Sequence, residues 1–244
     1  MSQVNDEGNA GRSRSQTRRP PLISLAMLRR AVGGDEFDSL DVKEVSRRVY
    51  AGVLMKDDKK QVEAEKGKDQ EQPYTHKYWV DKDLNKNCWM VLAKGLQINL
   101  SHDSKCWKWH EEEEPCYLGN IKLPVAELLD ICWLNIKGKL KTIVLSPRMT
   151  YEVEIHVKMR GGSKPWQGPV NLSLALPDGN KKARVTYFDK LEKEEWLPIS
   201  IGMFKMMPET VGEISFSLTQ ADMNQSLYIK GVVFRPTNEK KPPK

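Results

Sequence analysis

Between residues 149 and 160 the chain alternates. Tyr151, Val153, Ile155, Val157 and Met159 fall on one side, and Glu152, Glu154, His156 and Lys158 on the other. A period of two is that of a β-strand with one face packed and the other in water. From Pro73 onward the same texture recurs as short runs of Val, Ile, Leu, Tyr and Trp broken by Gly, Pro, Asn and Asp. The pattern predicts further strands near 88–93, 131–136, 139–144, 170–176, 183–188, 196–201, 211–218 and 226–234, with a turn of helix at Val125–Leu129. Eight or nine short strands, with no internal repeat, predict an all-β fold. The class is an antiparallel β-sandwich of jelly-roll type rather than a parallel α/β sheet.

Ahead of this region the period changes. Val42, Val45, Val49 and Val53 share one helical face, and Asp41 with Glu44 forms a capping-box pattern, so a short N-terminal amphipathic helix is predicted to about Met55. The stretch KDDKKQVEAEKGKDQEQ (56–72) has five lysines and six acids but only Val62 and Ala64 as apolar residues, and it reads as a solvated linker. Residues 1–20 carry too little apolar surface to offset ordering entropy. The predicted division is a disordered or weakly structured tail (1–40), helix and charged linker (41–72), the β-domain (73–237) and a basic tail (238–244).

Composition narrows the class further. The 244 residues are 39% hydrophobic and 30% charged, with a net charge of +6. No stretch approaches the roughly 18 apolar residues of a bilayer-crossing helix, and the N-terminus lacks a secretory apolar core. Membrane insertion is therefore not expected, and the chain reads as cytoplasmic or nuclear. In that setting Cys88, Cys106, Cys116 and Cys132 are expected as thiols. The N-x-S sequons at Asn99, Asn171 and Asn224 are expected to be coincidental. The positive excess is 1 over residues 1–72, 2 over 73–234 and 3 over 235–244, so no segment has the dense basic stripe of a dedicated nucleic-acid binder. The tails leave non-specific attraction to phosphate open.

Enzyme signatures are missing: there is no G-x-S-x-G, H-E-x-x-H, Walker loop or G-x-G-x-x-G. The run Glu111–Glu114 reads as a solvated acidic loop. His102, Cys106, His110 and Cys116 are of the residue types zinc prefers, but they lack a C-x-x-C knuckle and a β-domain this rich in apolar residues needs no structural metal. Neither a metal nor a cofactor is expected.

Of seven tryptophans, Trp89, Trp133 and Trp196 lie in apolar runs and are expected in the core. Trp107 and Trp109 differ. In HDSKCWKWH they are two residues apart and share one side of an extended segment among polar neighbours. Two such indoles could stack on the C–H face of a pyranose, with Asp103, His102 or Lys105 hydrogen-bonding its hydroxyls; base stacking and ordinary strand packing are the alternatives.

Read in order, YWVDKDLNKNCWMVLAKGLQI, KCWKW, VAELLDICWLNIKGKLKT, LSPRMTYEVEIHVKM, EEWLPISIGMF and SLYIKGVVFRP resemble the plant phloem protein 2 family, whose lectin domain is also called the Nictaba domain. The resemblance covers about residues 77–237, and RRVYAGVLM resembles the lead-in of members with an N-terminal extension. It implies a non-enzymatic β-sandwich lectin of the cytoplasm and nucleus that binds N-acetylglucosamine oligomers and N-glycan cores. It also implies a phloem setting, a part in sieve-element filaments and defence, and the RNA binding reported for some relatives. A homodimer is left open. Trp107 falls at the second of two tryptophans tied to sugar binding in tobacco-type members, whereas Leu100 stands at the first. Tyr117 and Trp166 are the aromatic candidates to compensate. On this reading Trp107 stacks on the sugar, Trp109 extends the platform, and Asp103 and Lys105 supply polar contacts. The alternative is an interaction protein, or an RNA-binding one, that has lost its sugar site.

Overall fold

The computed structural model describes residues 19–57, 73–131, 133–162, 166–221 and 226–238. Among these described residues, three helices come first: α1 (Ile23–Val32), α2 (Gly34–Asp38) and α3 (Val42–Ala51). Within the same described residues thirteen strands follow in chain order: β1 (Val53–Met55), β2 (His76–Asp81), β3 (Lys86–Leu92), β4 (Gln97–Ile98), β5 (Trp107–Cys116), β6 (Gly119–Leu128), β7 (Leu134–Lys141), β8 (Met149–Met159), β9 (Val170–Ala175), β10 (Lys181–Thr186), β11 (Leu197–Met206), β12 (Glu213–Gln220) and β13 (Leu227–Thr237). All the strand pairs are antiparallel and make two sheets, the sandwich expected from the alternation.

In the larger sheet β13 is the spine. It pairs with β8, and through it β11, on one side; on the other, residues 231–234 pair with β3 and residues 227–229 with β6. The sheet continues outward through β2 to β1 and through β6 to β5. The smaller sheet runs β10-β9-β12-β7-β4. Between the two, Val153, Ile155 and Val157 share one buried cluster with Leu172, Leu174, Ile214 and Leu218. Phe216 of the smaller sheet meets Phe234 of the larger edge-on, with ring centroids 5.8 Å apart. Phe216 rests on Gly138, where an added Cβ would lie 2.3 Å from its Cζ, so β7 needs a glycine under the ring. That contact explains why the strands expected at 131–136 and 139–144 run together as the single β7 over Leu134–Lys141: Gly138 is a packing site, not a break. The 3-10 turn Thr142–Val144 follows it.

The lead-in is joined to this sandwich. Asp41 caps α3 by accepting from Glu44 N at 2.7 Å. The Glu44 carboxylate turns to Arg47 and Arg48, which hold its pKa down at about 2. The helix stops at Gly52 (φ 105°) rather than at Met55, and Val53–Met55 becomes β1, paired with β2. Within the stretch expected as a tail, residues 23–32 are helical because Leu28 has a buried partner surface, sharing a cluster with Val45, Val49 and Tyr78. Most of the expected linker (58–72), with residues 1–18 and 239–244, lies outside the described residues.

Two further expectations are corrected. Glu111–Glu114 is not a loop but part of β5, where Glu112 lies opposite Leu123 and Glu114 opposite Ile121. Its acids persist in a strand because cations on other strands face them: Glu114 bonds Lys77 and Lys230, each at 2.6 Å, and Glu112 bonds Lys158 at 2.6 Å. Val125–Leu129 is not helical, since Val125–Leu128 ends β6. These four residues are all buried, which erases the period of two.

Candidate functional site

Where β4 ends, the chain leaves the smaller sheet through residues 99–106 and enters the larger one at β5. Asn99 anchors that crossing. Its amide N donates to Asn135 O (3.1 Å), its side chain donates to Trp133 O (2.6 Å), and its Oδ1 accepts from Asn135 N (2.8 Å). Leu100 follows in the left-handed region (φ 56°), 46% exposed. Asp103 then closes a turn on itself: its Oδ1 accepts from Lys105 N at 2.9 Å, and its carbonyl accepts from Cys106 N at 3.0 Å and Trp107 N at 2.9 Å.

The two indoles of β5 lock this loop from below. Trp107 Nε1 donates to Asn99 O at 2.9 Å and Trp109 Nε1 to Ser101 O at 3.3 Å. Both lie on the same side of the strand, as their spacing required, and both line a cleft of about 450 Å³. The cleft's polar lining is Lys94, Ser101, His102 and Ser104; Ala93, Leu96 and Ile98 complete it. Trp107 is a wall rather than a projecting platform, being only 2% exposed. Trp109 is half-buried, and the Lys94 ammonium stands 3.3 Å from its ring centroid, a close cation–π contact.

Of the four residues expected at the site, Trp107 and Trp109 therefore meet at the cleft, while Asp103 and Lys105 lie on its adjoining loop and are not among its lining residues. Ser101, Ser104 and above all Lys94 were not singled out in the sequence. Lys94 is brought in by the 3-10 turn Ala93–Gly95, eight residues before the loop's turn and without a local pattern to mark it. The compensating aromatics are elsewhere: Tyr117 stacks under Arg48 (4.9 Å) and Trp166 is buried against Phe188 (5.4 Å). Trp89 is buried as expected, but Trp133 is 55% exposed. It precedes β7 in register with outward-facing Asn135, so its apolar neighbours Leu134 and Ile136 point the other way. Trp196 is half-buried beneath Lys158 (4.9 Å) and Lys230 (5.7 Å).

The metal-type residues are dispersed. His102 lines the cleft, His110 bonds the buried Glu127 carboxylate, and Cys116 packs with Met90 and Leu92 on the far face of the larger sheet. Among the described residues no group of three or more His, Cys, Asp or Glu is placed to hold a metal ion, and no helix is long and apolar enough to cross a membrane.

Fold and cleft together define an antiparallel β-sandwich that carries an aromatic, lysine-bearing surface cleft. A family model described as Phloem protein 2 matches residues 86–236, and the chain belongs to that family. It is 38% identical over 164 residues to a lectin of Luffa acutangula, covering 66% of this chain and 77% of that protein. It is 33% identical over 228 residues to Protein PHLOEM PROTEIN 2-LIKE A1 of Arabidopsis thaliana, covering 91% of this chain and 84% of that protein, a match long enough to include part of the helical lead-in. Among solved structures, the CBM22-1 xylan-binding domain of Paenibacillus barcinonensis Xyn10C aligns with a TM-score of 0.35 at 14% identity, over 61% of this chain and 90% of that one.

Proposed function

We propose that this chain is a non-enzymatic carbohydrate-binding protein of the phloem. Its ligand is an N-acetylglucosamine oligomer or N-glycan core seated in the cleft against Trp107 and Trp109. The reading is carried by one observation: two indoles spaced by two on β5 line the same surface cleft, beside hydroxyl, imidazole and ammonium groups able to bond sugar hydroxyls. The lectin from Luffa and the phloem protein from Arabidopsis support the ligand class and the setting. Trp107 shapes the wall, Trp109 offers the accessible ring, and Asp103 and Lys105 contribute from the loop rim.

Calorimetric titration of the full chain with chitotriose tests this. Trp107 is too buried for a clean truncation, so the informative variant is Trp109→Ala. It should weaken binding about tenfold, the loss of one stacked ring, in a variant whose circular dichroism spectrum shows it folded at the titration temperature. Equal affinity in wild type and variant would refute the assignment.

A further inference from the structure

The outer face of the smaller sheet assembles a basic surface from two distant segments. Alternation along β7 puts Lys137, Lys139 and Lys141 on that face, all exposed, while Gly138 and Leu140 turn inward and are buried. Consecutive lysines of this row stand about 6.8 Å apart along the strand. Lys181 joins them from the opposite edge, for Lys139 lies opposite Ser215, Ser215 opposite Ala175 and Ala175 opposite Lys181. Among the described residues of the five strands Glu213 is the one acid, and it takes Lys139 at 2.7 Å in a pair that is itself open to solvent, with the two side chains 60% and 46% exposed. The face is therefore strongly positive.

Between β7 and β10 the outward positions are small and polar. Ser217 lies opposite Lys137 and Ser173 opposite Ser217, their hydroxyls hydrogen-bonded at 2.8 Å, and Thr219 with Asn171 makes the next rung. These residues floor a depression of about 320 Å³ that Val185 borders on β10. Trp133 stands exposed at the head of the lysine row, two residues before Asn135. Cations beside a floor of hydroxyls and amides suit a polymer that carries carboxylates and hydroxyls together. The lysines meet carboxylates in charge-assisted hydrogen bonds, and Ser, Thr and Asn both donate to and accept from hydroxyls. Single-stranded nucleic acid would be drawn by the same charge, but it is held by successive rings under successive bases. Among the described residues the outward positions of the five strands carry no aromatic ring, and Trp133 alone stands beside them.

We propose that this face binds an acidic polysaccharide, a polymer of uronic acid residues, laid along β7 and β12 with its carboxylates toward Lys137 and Lys139 and one sugar against Trp133. The face shares no lining residue with the cleft and does not depend on the reading given for it. The test is fluorescence anisotropy of the full chain with a labelled galacturonic acid decamer, the same decamer fully methyl-esterified, and a uridylate decamer. Wild type should bind the acid decamer at least about tenfold more tightly than its neutral ester, a comparison that needs no variant to fold. In Lys137→Met/Lys139→Met, with a circular dichroism spectrum matching wild type, acid binding should fall about tenfold. It should persist in Lys137→Arg/Lys139→Arg, which keeps the charge, and fall by a smaller factor in Trp133→Ala. Absence of binding to the acid decamer, equal binding of acid and ester, undiminished binding in the methionine variant or tighter binding of the uridylate overturns the proposal. The cleft is judged separately by its own chitotriose titration.

Discussion

The outer face of the larger sheet and the cleft are built from the same pair of groups, a lysine and an aromatic ring, with different surroundings. On the sheet face Lys77 lies over Trp79 (5.5 Å), Lys158 over Trp196 and Tyr228, and Lys230 over Trp196, and every one of these ammoniums bonds Glu112 or Glu114 at 2.6 Å. At the cleft Lys94 lies over Trp109, beside the Ser101 and Ser104 hydroxyls and the His102 imidazole. The difference separates two uses of one contact. Where the protein supplies the anion, charge is neutralised internally and the contact holds strands together. At the cleft the same kind of contact lines an open surface, with Trp109 as one of its walls.

This comparison is broken most directly at Glu114. Glu114 is only 8% exposed, and its carboxylate joins two lysines from different strands. Glu114→Ala leaves Lys77 and Lys230 facing each other and should cost about 3 kcal/mol, read as a lower urea midpoint at unchanged slope.

A smaller effect should appear with pH. Burial pushes the Glu114 carboxyl up, but Lys77 and Lys230 outweigh it and hold it below the ordinary value of 4.5. Lys158 lowers Glu112 against the same opposing burial, and His110 and Tyr228 overcome burial at Glu127. With folded values below unfolded ones, these groups contribute their full stability above pH 4.5 and lose it as pH falls through the depressed values. The acid limb of a stability–pH profile should therefore be steep, and flatter in Glu114→Ala. The smallest effect belongs to the cleft: Lys94→Met should move stability by no more than about 0.5 kcal/mol, measured in the same urea series. A large loss would show that Lys94 holds the fold, as Lys77 does.

What the sequence made legible follows this division. β8 was readable because one face packs and the other is wet, and the capping residue Asp41 because its partner is three residues away. The hairpin of β5 and β6 was not. Glu112 and Glu114 are stabilised by Lys77, Lys158 and Lys230, which no local window contains, and the end of β6 is covered on both faces. The site was legible to the same degree. Trp107 and Trp109 share a strand and a spacing, whereas Lys94 joins them through a turn fixed by Thr75, and Trp133 escaped because an apolar run conceals which of its members faces out.

The pairing of β1 with β2 has a consequence for any shortened version of the chain. A fragment beginning at Pro73 would keep the family-matched region yet strip the partner from His76–Tyr78, leaving a row of unsatisfied amides and carbonyls at the sheet margin. Removing Leu28, Val45 and Val49 would also uncover Tyr78 and Val80. Such a fragment should self-associate by strand addition, presenting as an oligomer of its own making, and the helical lead-in is thereby a guard on the sheet's margin as well as an extension of it.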